Sequence, residues 1–183
     1  MQELSLHILD IVENSIIAGA KDIGIKIRED LNKDQLSIEI KDNGKGMDKE
    51  VVEKVLDPFY TTRTTRKVGL GLSLFAEATR RSNGNFTINS TKEEGTTIQA
   101  TFQHSNIDRQ PLGNIIDTMV TLIIGNPEIN LSYYHKRDDL DFSLNTSELK
   151  KALDGVPLDN PVVVRFIRGI FKEGLEEIGV NSW

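Results

Sequence analysis

Asp42 stands at the end of a predicted buried strand and is the first candidate for binding chemistry. Apolar residues at every second position of 36–40 predict a strand with one buried face. A carboxylate at its end is costly to desolvate without a partner. One interpretation is a tight Asp-Asn-Gly turn. The other is that Asp42 accepts a hydrogen bond from a ligand's exocyclic amine, while Gly44 and Gly46 let the backbone approach that ligand.

A second polar group lies on the first predicted helix, Leu4 to Ala18. Asp10 and Asn14 are four residues apart and therefore share a face, with His7 one turn earlier and Glu13 beside them. An exposed polar face is one interpretation of this set. The other is a Mg²⁺ site in which Asn14 supplies an oxygen and a nearby carboxylate positions a water.

Gly69-Leu70-Gly71-Leu72 opens a predicted helix over 72–81. Backbone N–H groups at a helix N-terminus favour phosphate, as does the helix dipole. The polar segment 61–67 before it has no apolar period and is predicted to be a surface loop. It carries cations, among them Arg63 and Lys67, that suit a triphosphate.

Alternating stretches predict two hairpins, one over 23–41 and one over 86–102. Gly95 stands where the second hairpin needs a positive φ. Thr96 follows, and two interpretations stay open for it. It is either a threonine at the start of an exposed strand or a hydroxyl that reaches a buried ligand through a water.

Composition bounds the class of protein. The chain has 183 residues and a formal charge of −6, so we expect a globular protein without general affinity for nucleic acid or anionic membranes. No window approaches the roughly 18 apolar residues of a membrane span, and the first residues do not resemble a signal peptide. There is no Cys, and the three His residues form no metal-ligand spacing. We expect a cytoplasmic location.

The ordered motifs resemble the GHKL superfamily, which comprises gyrase, the heat-shock chaperone, histidine kinases and the mismatch-repair ATPase MutL. The resemblance covers about the first 104 residues and rests on motifs beginning at Asp10, Asp42, Gly69 and Gly95, in that order. It implies the Bergerat ATP-binding fold, a two-layer α/β sandwich of the α+β class with a mixed sheet.

The resemblance also implies a role for each motif residue. Asn14 resembles the Mg²⁺ ligand, Asp42 the acid that accepts from the adenine amine, and Thr96 the threonine that assists it. Gly44 and Gly46 resemble the glycines of the family's first glycine motif, with Met47 against the purine, and the motif whose backbone cradles the phosphates is matched by Gly69, Leu70, Gly71 and Leu72. Arg63 resembles a lid cation near the γ-phosphate, whereas Lys67 departs from the pattern, because it stands where many kinases carry extra glycines.

The chain departs from the family pattern at the candidate general base. Hydrolysing members carry Glu four residues before the Mg²⁺ Asn, and this chain has Asp10, which is one methylene shorter. Glu13 is the second candidate acid. A dimerisation helix pair and a phosphoacceptor histidine motif are not recognisable, so we do not expect a self-contained sensor kinase of the usual plan.

Residues 105–183 carry no recognised catalytic motif. The pattern predicts a helix over 112–124, a hairpin over 129–144, a short helix over 148–153 capped by Thr146 or Ser147, and a helix over 162–178. We expect a small accessory α+β domain at 105–183 that docks on an ATP-binding domain at 1–104, since some 75 residues are marginal alone.

Three functions remain open at this point. The first is a regulatory protein that binds Mg²⁺ and ATP and alters a contact with a protein partner, with transfer of the γ-phosphate to a partner protein as an additional option. The second is an ATP hydrolase with Asp10 as general base. The third is a nucleotide-sensing adaptor without chemistry. The family analogy adds a homodimer as an expectation.

Overall fold

The structure is a computed structural model that describes residues 3–55 and 70–180 of the chain. Its helices are α1 (Leu4–Ile17), α2 (Lys49–Lys54), α3 (Leu70–Arg81), α4 (Ile115–Gly125), α5 (Thr146–Ala152) and α6 (Pro161–Glu177). Its strands are β1 (Asp22–Asp30), β2 (Gln35–Asp42), β3 (Phe86–Thr91), β4 (Gly95–Gln103), β5 (Asn130–Arg137) and β6 (Leu140–Asn145).

The described strands form one mixed sheet in the order β3-β4-β2-β1-β5-β6. β1 and β5 are parallel, whereas the other neighbouring strands pair in antiparallel fashion. The α+β class and the mixed sheet that the sequence predicted are therefore confirmed. The predicted hairpins are present as β1–β2, β3–β4 and β5–β6.

Alternation along the strands separates a core face from an outer face. In β1, Ile23, Ile25 and Ile27 are buried, whereas Lys26 and Arg28 are exposed. Full burial of such a side chain contributes about 1.5–3 kcal/mol. Among the helices, α1 contacts both α3 and α4, and α4 contacts α6. This helical layer holds α1 and α3, which carry two of the predicted motifs, side by side.

The helices of the C-terminal half begin at asparagine caps. Asn114, Asn145 and Asn160 each accept a backbone N–H in the first turn of α4, α5 and α6, which satisfies a donor that the helix leaves open. The prediction of Thr146 or Ser147 as the cap of α5 is wrong by one residue. Thr146 instead accepts a hydrogen bond from the backbone N–H of Leu131 at 2.9 Å.

A polar network joins β1 to β5. The Glu29 carboxylate contacts Nε2 of His135 at 2.8 Å and Nε2 of His104 at 3.0 Å, and Tyr133 Oη lies 2.8 Å from Nδ1 of His135. Burial alone would raise the pKa of Glu29, but the hydrogen bonds from the two histidines lower it to about 2. Two histidines that are far apart in sequence thus share one carboxylate.

The C-terminal segment extends the same sheet. β5 pairs with β1 over Asp22 to Glu29, and residues of α4, β5 and α6 belong to the same buried cluster as α1 and β1. The predicted domain boundary at residue 104 stays a prediction about which parts of the chain can fold independently. In residues 3–55 and 70–180, no helix combines the length and apolar character that crossing a membrane requires.

Candidate nucleotide site

Asp42 ends β2 and is only 7% exposed. Its Oδ2 accepts a hydrogen bond from Ser15 Oγ at 2.7 Å, and its Oδ1 accepts from the Gly44 backbone N–H at 2.8 Å. These two hydrogen bonds offset the cost of burying the carboxylate and fix its orientation.

The turn interpretation and the ligand interpretation of Asp42 are compatible in the structure. β2 pairs with β1 and β4 and not with a strand that directly follows it, so the Asp-Asn-Gly sequence makes no hairpin. It forms a turn that leaves the sheet. Asn43 anchors this turn, because its Oδ1 accepts from the backbone N–H groups of Lys21 and Asp22 at 2.8 and 2.9 Å.

Thr96 is the direct cross-strand neighbour of Asp42 in the β2–β4 register. Its hydroxyl lies 2.9 Å from Ser90 Oγ on β3, which is its own neighbour on the other side. The structure therefore brings together Asp42 and Thr96, which are 54 positions apart in the sequence.

The chain's own packing requires glycine at Gly46 and leaves little room for a side chain at Gly44. Gly46 has φ +62°, and a Cβ there would lie 1.9 Å from the carbonyl oxygen of Thr91. A Cβ on Gly44 would lie 3.1 Å from the Ala18 carbonyl oxygen. Next to them, the Met47 backbone N–H donates to Ser90 Oγ at 2.8 Å. The glycine loop is thus held between α1 and the β3–β4 hairpin.

The polar residues of α1 divide into two environments. Asn14 Nδ2 lies 3.5 Å from Asp10 Oδ2, and both side chains are half-buried, whereas Glu13 is exposed. The amide nitrogen of Asn14 is directed to Asp10, and the amide oxygen on the same side chain is an atom of the type that Mg²⁺ coordinates. In residues 3–55 and 70–180, no group of three or more His, Cys, Asp or Glu side chains suits a metal.

Asp10 also meets the start of α3. A Cβ on Gly71 would lie 1.6 Å from Asp10 Oδ2, so the carboxylate occupies the space that any side chain at this position would need. Leu70 begins α3, and Leu72 packs against the core. Arg63, Lys67 and Gly69 lie outside the described residues.

His7 has a packing role. It is 1% exposed, stacks on Phe75 with ring centroids 5.0 Å apart, and its Nε2 lies 3.0 Å from Gln110 Oε1. Burial lowers its pKa. The structure thus separates His7 from the candidate site, although it shares a helix with Asp10 and Asn14.

A cleft of about 520 Å³ lies beside the Asp42–Thr96 pair. Its walls come from the ends of β2, β3 and β4 and from Lys49, Val52 and Glu53 of α2. Asp10, Asn14 and Gly71 are not part of this lining. The described residues therefore present two groups: an acceptor pair in the cleft, and a carboxylate–amide pair on α1 against α3.

Sequence reasoning missed Ser15 and Ser90. Ser15 shares a helix face with Ile8, Ile11 and Val12, and a polar residue on such an apolar face was the available signal. The signal for Ser90 was weaker. It precedes Thr96 by six residues, on the other side of the predicted hairpin turn. Both hydroxyls hold the residues that the motifs did identify.

Comparison with known proteins adds independent findings. A family model described as histidine kinase-, DNA gyrase B-, and HSP90-like ATPase matches residues 2–106. The sensor histidine kinase YvrG of Bacillus subtilis is 31% identical over 98 residues, which are 51% of this chain and 17% of that protein. A putative sensor protein of Shewanella frigidimarina is 32% identical over 103 residues, which are 55% of this chain and 16% of that protein.

A solved structure shows the same fold. The Aquifex aeolicus MutL ATPase domain complexed with ADP superposes with a TM-score of 0.52 at 17% identity, covering 84% of this chain and 70% of that one. The match to the sensor proteins, in contrast, spans only about a sixth of their length.

Proposed function

The chain belongs to the histidine kinase-, DNA gyrase B- and HSP90-like ATPase family, and from this we propose that it is a regulatory protein that binds Mg·ATP. The observation that carries the proposal is the environment of the Asp42 carboxylate. Its carboxylate is buried and oriented by Ser15 and Gly44, it neighbours Thr96, and it borders a cleft. A carboxylate in that setting is suited to accept a hydrogen bond from the adenine amine.

In this proposal the phosphates and the metal lie near α1 and the start of α3. Asn14 ligates Mg²⁺ through its amide oxygen, and water and phosphate oxygens complete the coordination, as Mg²⁺ prefers. Leu70, Gly71 and Leu72 supply the first turn of α3 next to the phosphates. Gly69, Arg63 and Lys67 complete the phosphate site in the proposal. The Mg²⁺ ion would neutralise phosphate charge.

Calorimetric titration with Mg·ATP tests the adenine contact. We expect Asp42→Ala to raise the Kd at least about tenfold, because a buried hydrogen bond of roughly 1.4 kcal/mol is lost. Asp141→Asn is the matched control, since Asp141 is an exposed strand carboxylate on β6. An unchanged Kd for Asp42→Ala would refute the assignment of Asp42.

Hydrolysis of ATP is a second candidate function, and the position of Asp10 favours it. The carboxylate lies between Asn14, the proposed metal ligand, and Gly71, the proposed phosphate contact. A carboxylate there can accept a proton from a water that attacks the γ-phosphorus while ADP leaves.

Release of phosphate from γ-labelled ATP distinguishes the candidates. If Asp10 is the base, Asp10→Asn abolishes release while Glu13→Gln, a change at an exposed carboxylate one turn away, retains it. The reverse result would assign the base to Glu13. If wild type binds ATP but releases no phosphate, hydrolysis is refuted.

Transfer to a protein partner is the route that we propose in that case, since relatives of the chain are named sensor histidine kinases. We propose that residues 105–183 serve as an accessory domain that carries the partner contact, and that the protein forms a homodimer. Label appearing on a co-incubated partner protein would support transfer, and bound ATP that remains intact in its presence would leave sensing as the function.

A further inference from the structure

Ser90 stands at a junction of three parts of the candidate site. Its Oγ lies 2.8 Å from the Met47 backbone nitrogen, 3.0 Å from the Gly95 carbonyl oxygen and 2.9 Å from Thr96 Oγ1. It therefore links the glycine loop, the β3–β4 turn and the threonine beside Asp42. Ser90 also lines the 520 Å³ cleft.

The hydrogens in this junction can be assigned from chemistry. A hydroxyl has one hydrogen to donate and two lone pairs that accept. The Met47 N–H can only donate, so it uses one lone pair of Ser90. The Gly95 carbonyl can only accept, so it takes the hydrogen of Ser90. The remaining lone pair of Ser90 then accepts the hydrogen of the Thr96 hydroxyl.

This assignment decides whether the Thr96 hydroxyl can donate a hydrogen bond to a ligand or only accept one. Its hydrogen is used on Ser90, and the oxygen presents lone pairs. The neighbouring Asp42 carboxylate likewise accepts, and it already receives Ser15 and Gly44. The Asp42–Thr96 pair therefore consists of acceptors, which match a purine that carries an amine at its 6-position and oppose one that carries an oxygen there.

We propose that Ser90 is a positioning residue that sets base specificity by holding the Thr96 hydroxyl as an acceptor. The inference rests on the proposed nucleotide-binding function and assigns within it a residue that the sequence motifs do not identify. Without the Ser90 hydroxyl, Thr96 rotates and can donate to a 6-oxo group. The site then discriminates less between 6-amino and 6-oxo purines, in addition to binding the nucleotide more weakly.

Titration of the full chain with Mg·ATP and Mg·ITP tests this, because ITP has an oxygen in place of the 6-amine of ATP and carries a proton on N1. We expect wild type to bind ATP more tightly than ITP. In Ser90→Ala, the ratio of the Kd for ITP to the Kd for ATP should fall about three- to tenfold, which is the range that the loss of one neutral hydrogen bond gives. Ser90→Thr keeps a hydroxyl and should retain the ratio. Ser143→Ala removes an exposed strand serine and should change nothing.

Two further variants make the result decisive. In a Thr96→Val background, Ser90→Ala should leave the ratio unchanged, because its effect passes through the threonine. Ser90→Cys, with a weaker hydrogen-bonding group, should narrow the ratio less, and it replaces the alanine variant if that does not fold.

The failures are distinguishable. If wild type binds neither nucleotide, the proposed function itself is refuted. If wild type binds ATP and the Ser90 variants weaken ATP and ITP by the same factor, Ser90 is only structural and the inference is overturned.

Discussion

At the scale of single residues, we expect one methyl group added at Gly71 to lower ATP turnover while leaving the free energy of unfolding nearly unchanged. The Cβ of an alanine there would overlap Asp10 Oδ2, which is the end of a side chain and can turn away. We expect Gly71→Ala to change the free energy of unfolding by less than about 1 kcal/mol. Displacing the candidate base by 1 Å should lower ATP turnover about 100-fold.

The measurement is ATP turnover beside denaturant unfolding. Gly169→Ala is the matched control, because Gly169 lies inside α6 and an added Cβ would meet no side chain or other element within 4 Å among residues 3–55 and 70–180, apart from its own chain neighbours. It should leave turnover unchanged and stabilise the helix by roughly 0.5–1 kcal/mol. Wild-type turnover in Gly71→Ala would show that Asp10 is not positioned by this contact.

Residue-scale predictions from sequence succeed where a residue type restricts its own surroundings. Asp42 was identified because an acid after a buried strand needs partners. Its partner Ser15 was missed because the contact joins positions 27 apart on a helix and a strand. A single sequence does not contain that distance, and the apolar period of α1 concealed the serine.

At the scale of elements, Glu29 ties β1 to β5 and to the end of β4, which gives a prediction on pH. Its pKa is about 2 in the folded protein against an ordinary value of 4.5. The stabilisation is therefore fully present above pH 4.5 and is lost as the pH falls from 4.5 toward 2. This pKa difference corresponds to roughly 3 kcal/mol.

Chemical unfolding of wild type and Glu29→Gln at several pH values checks this. At pH 7 the variant should be less stable by roughly 3 kcal/mol, and the difference should shrink below pH 4.5. Glu173→Gln, at an exposed position of α6, serves as the control and should behave like wild type. A difference that stays constant from pH 7 to pH 3 would contradict the role assigned to the carboxylate.

At this scale the sequence patterns predicted the strands but not their order in the sheet. Alternation in 23–28 and 36–41 identified β1 and β2, because burial of one face fixes the period of two. The parallel pairing of β1 with β5 joins segments about 100 residues apart, and nothing local in either strand specifies it. For the same reason His104 and His135, remote in sequence, gave no sign that they share Glu29.

At the scale of the whole molecule, the shared sheet bears on whether residues 1–104 fold alone. Removing 105–183 would expose the edge of β1 that pairs with β5. It would also uncover core residues of α1 and β1 that pack in one cluster with Ile115, Met119 and Tyr133. An exposed strand edge with an uncovered apolar face favours aggregation.

We therefore expect the 1–104 fragment to lack a cooperative thermal transition, or to aggregate, while the full chain unfolds in one step. Calorimetry and sedimentation of both proteins at equal concentration make the comparison. Adding residues 105–183 as a separate peptide should restore a transition, because β5 can then pair with β1 and α4 can pack on α1. A 1–104 fragment that unfolds cooperatively and binds Mg·ATP would instead establish the boundary at residue 104 and make the C-terminal segment a dispensable accessory to the nucleotide site.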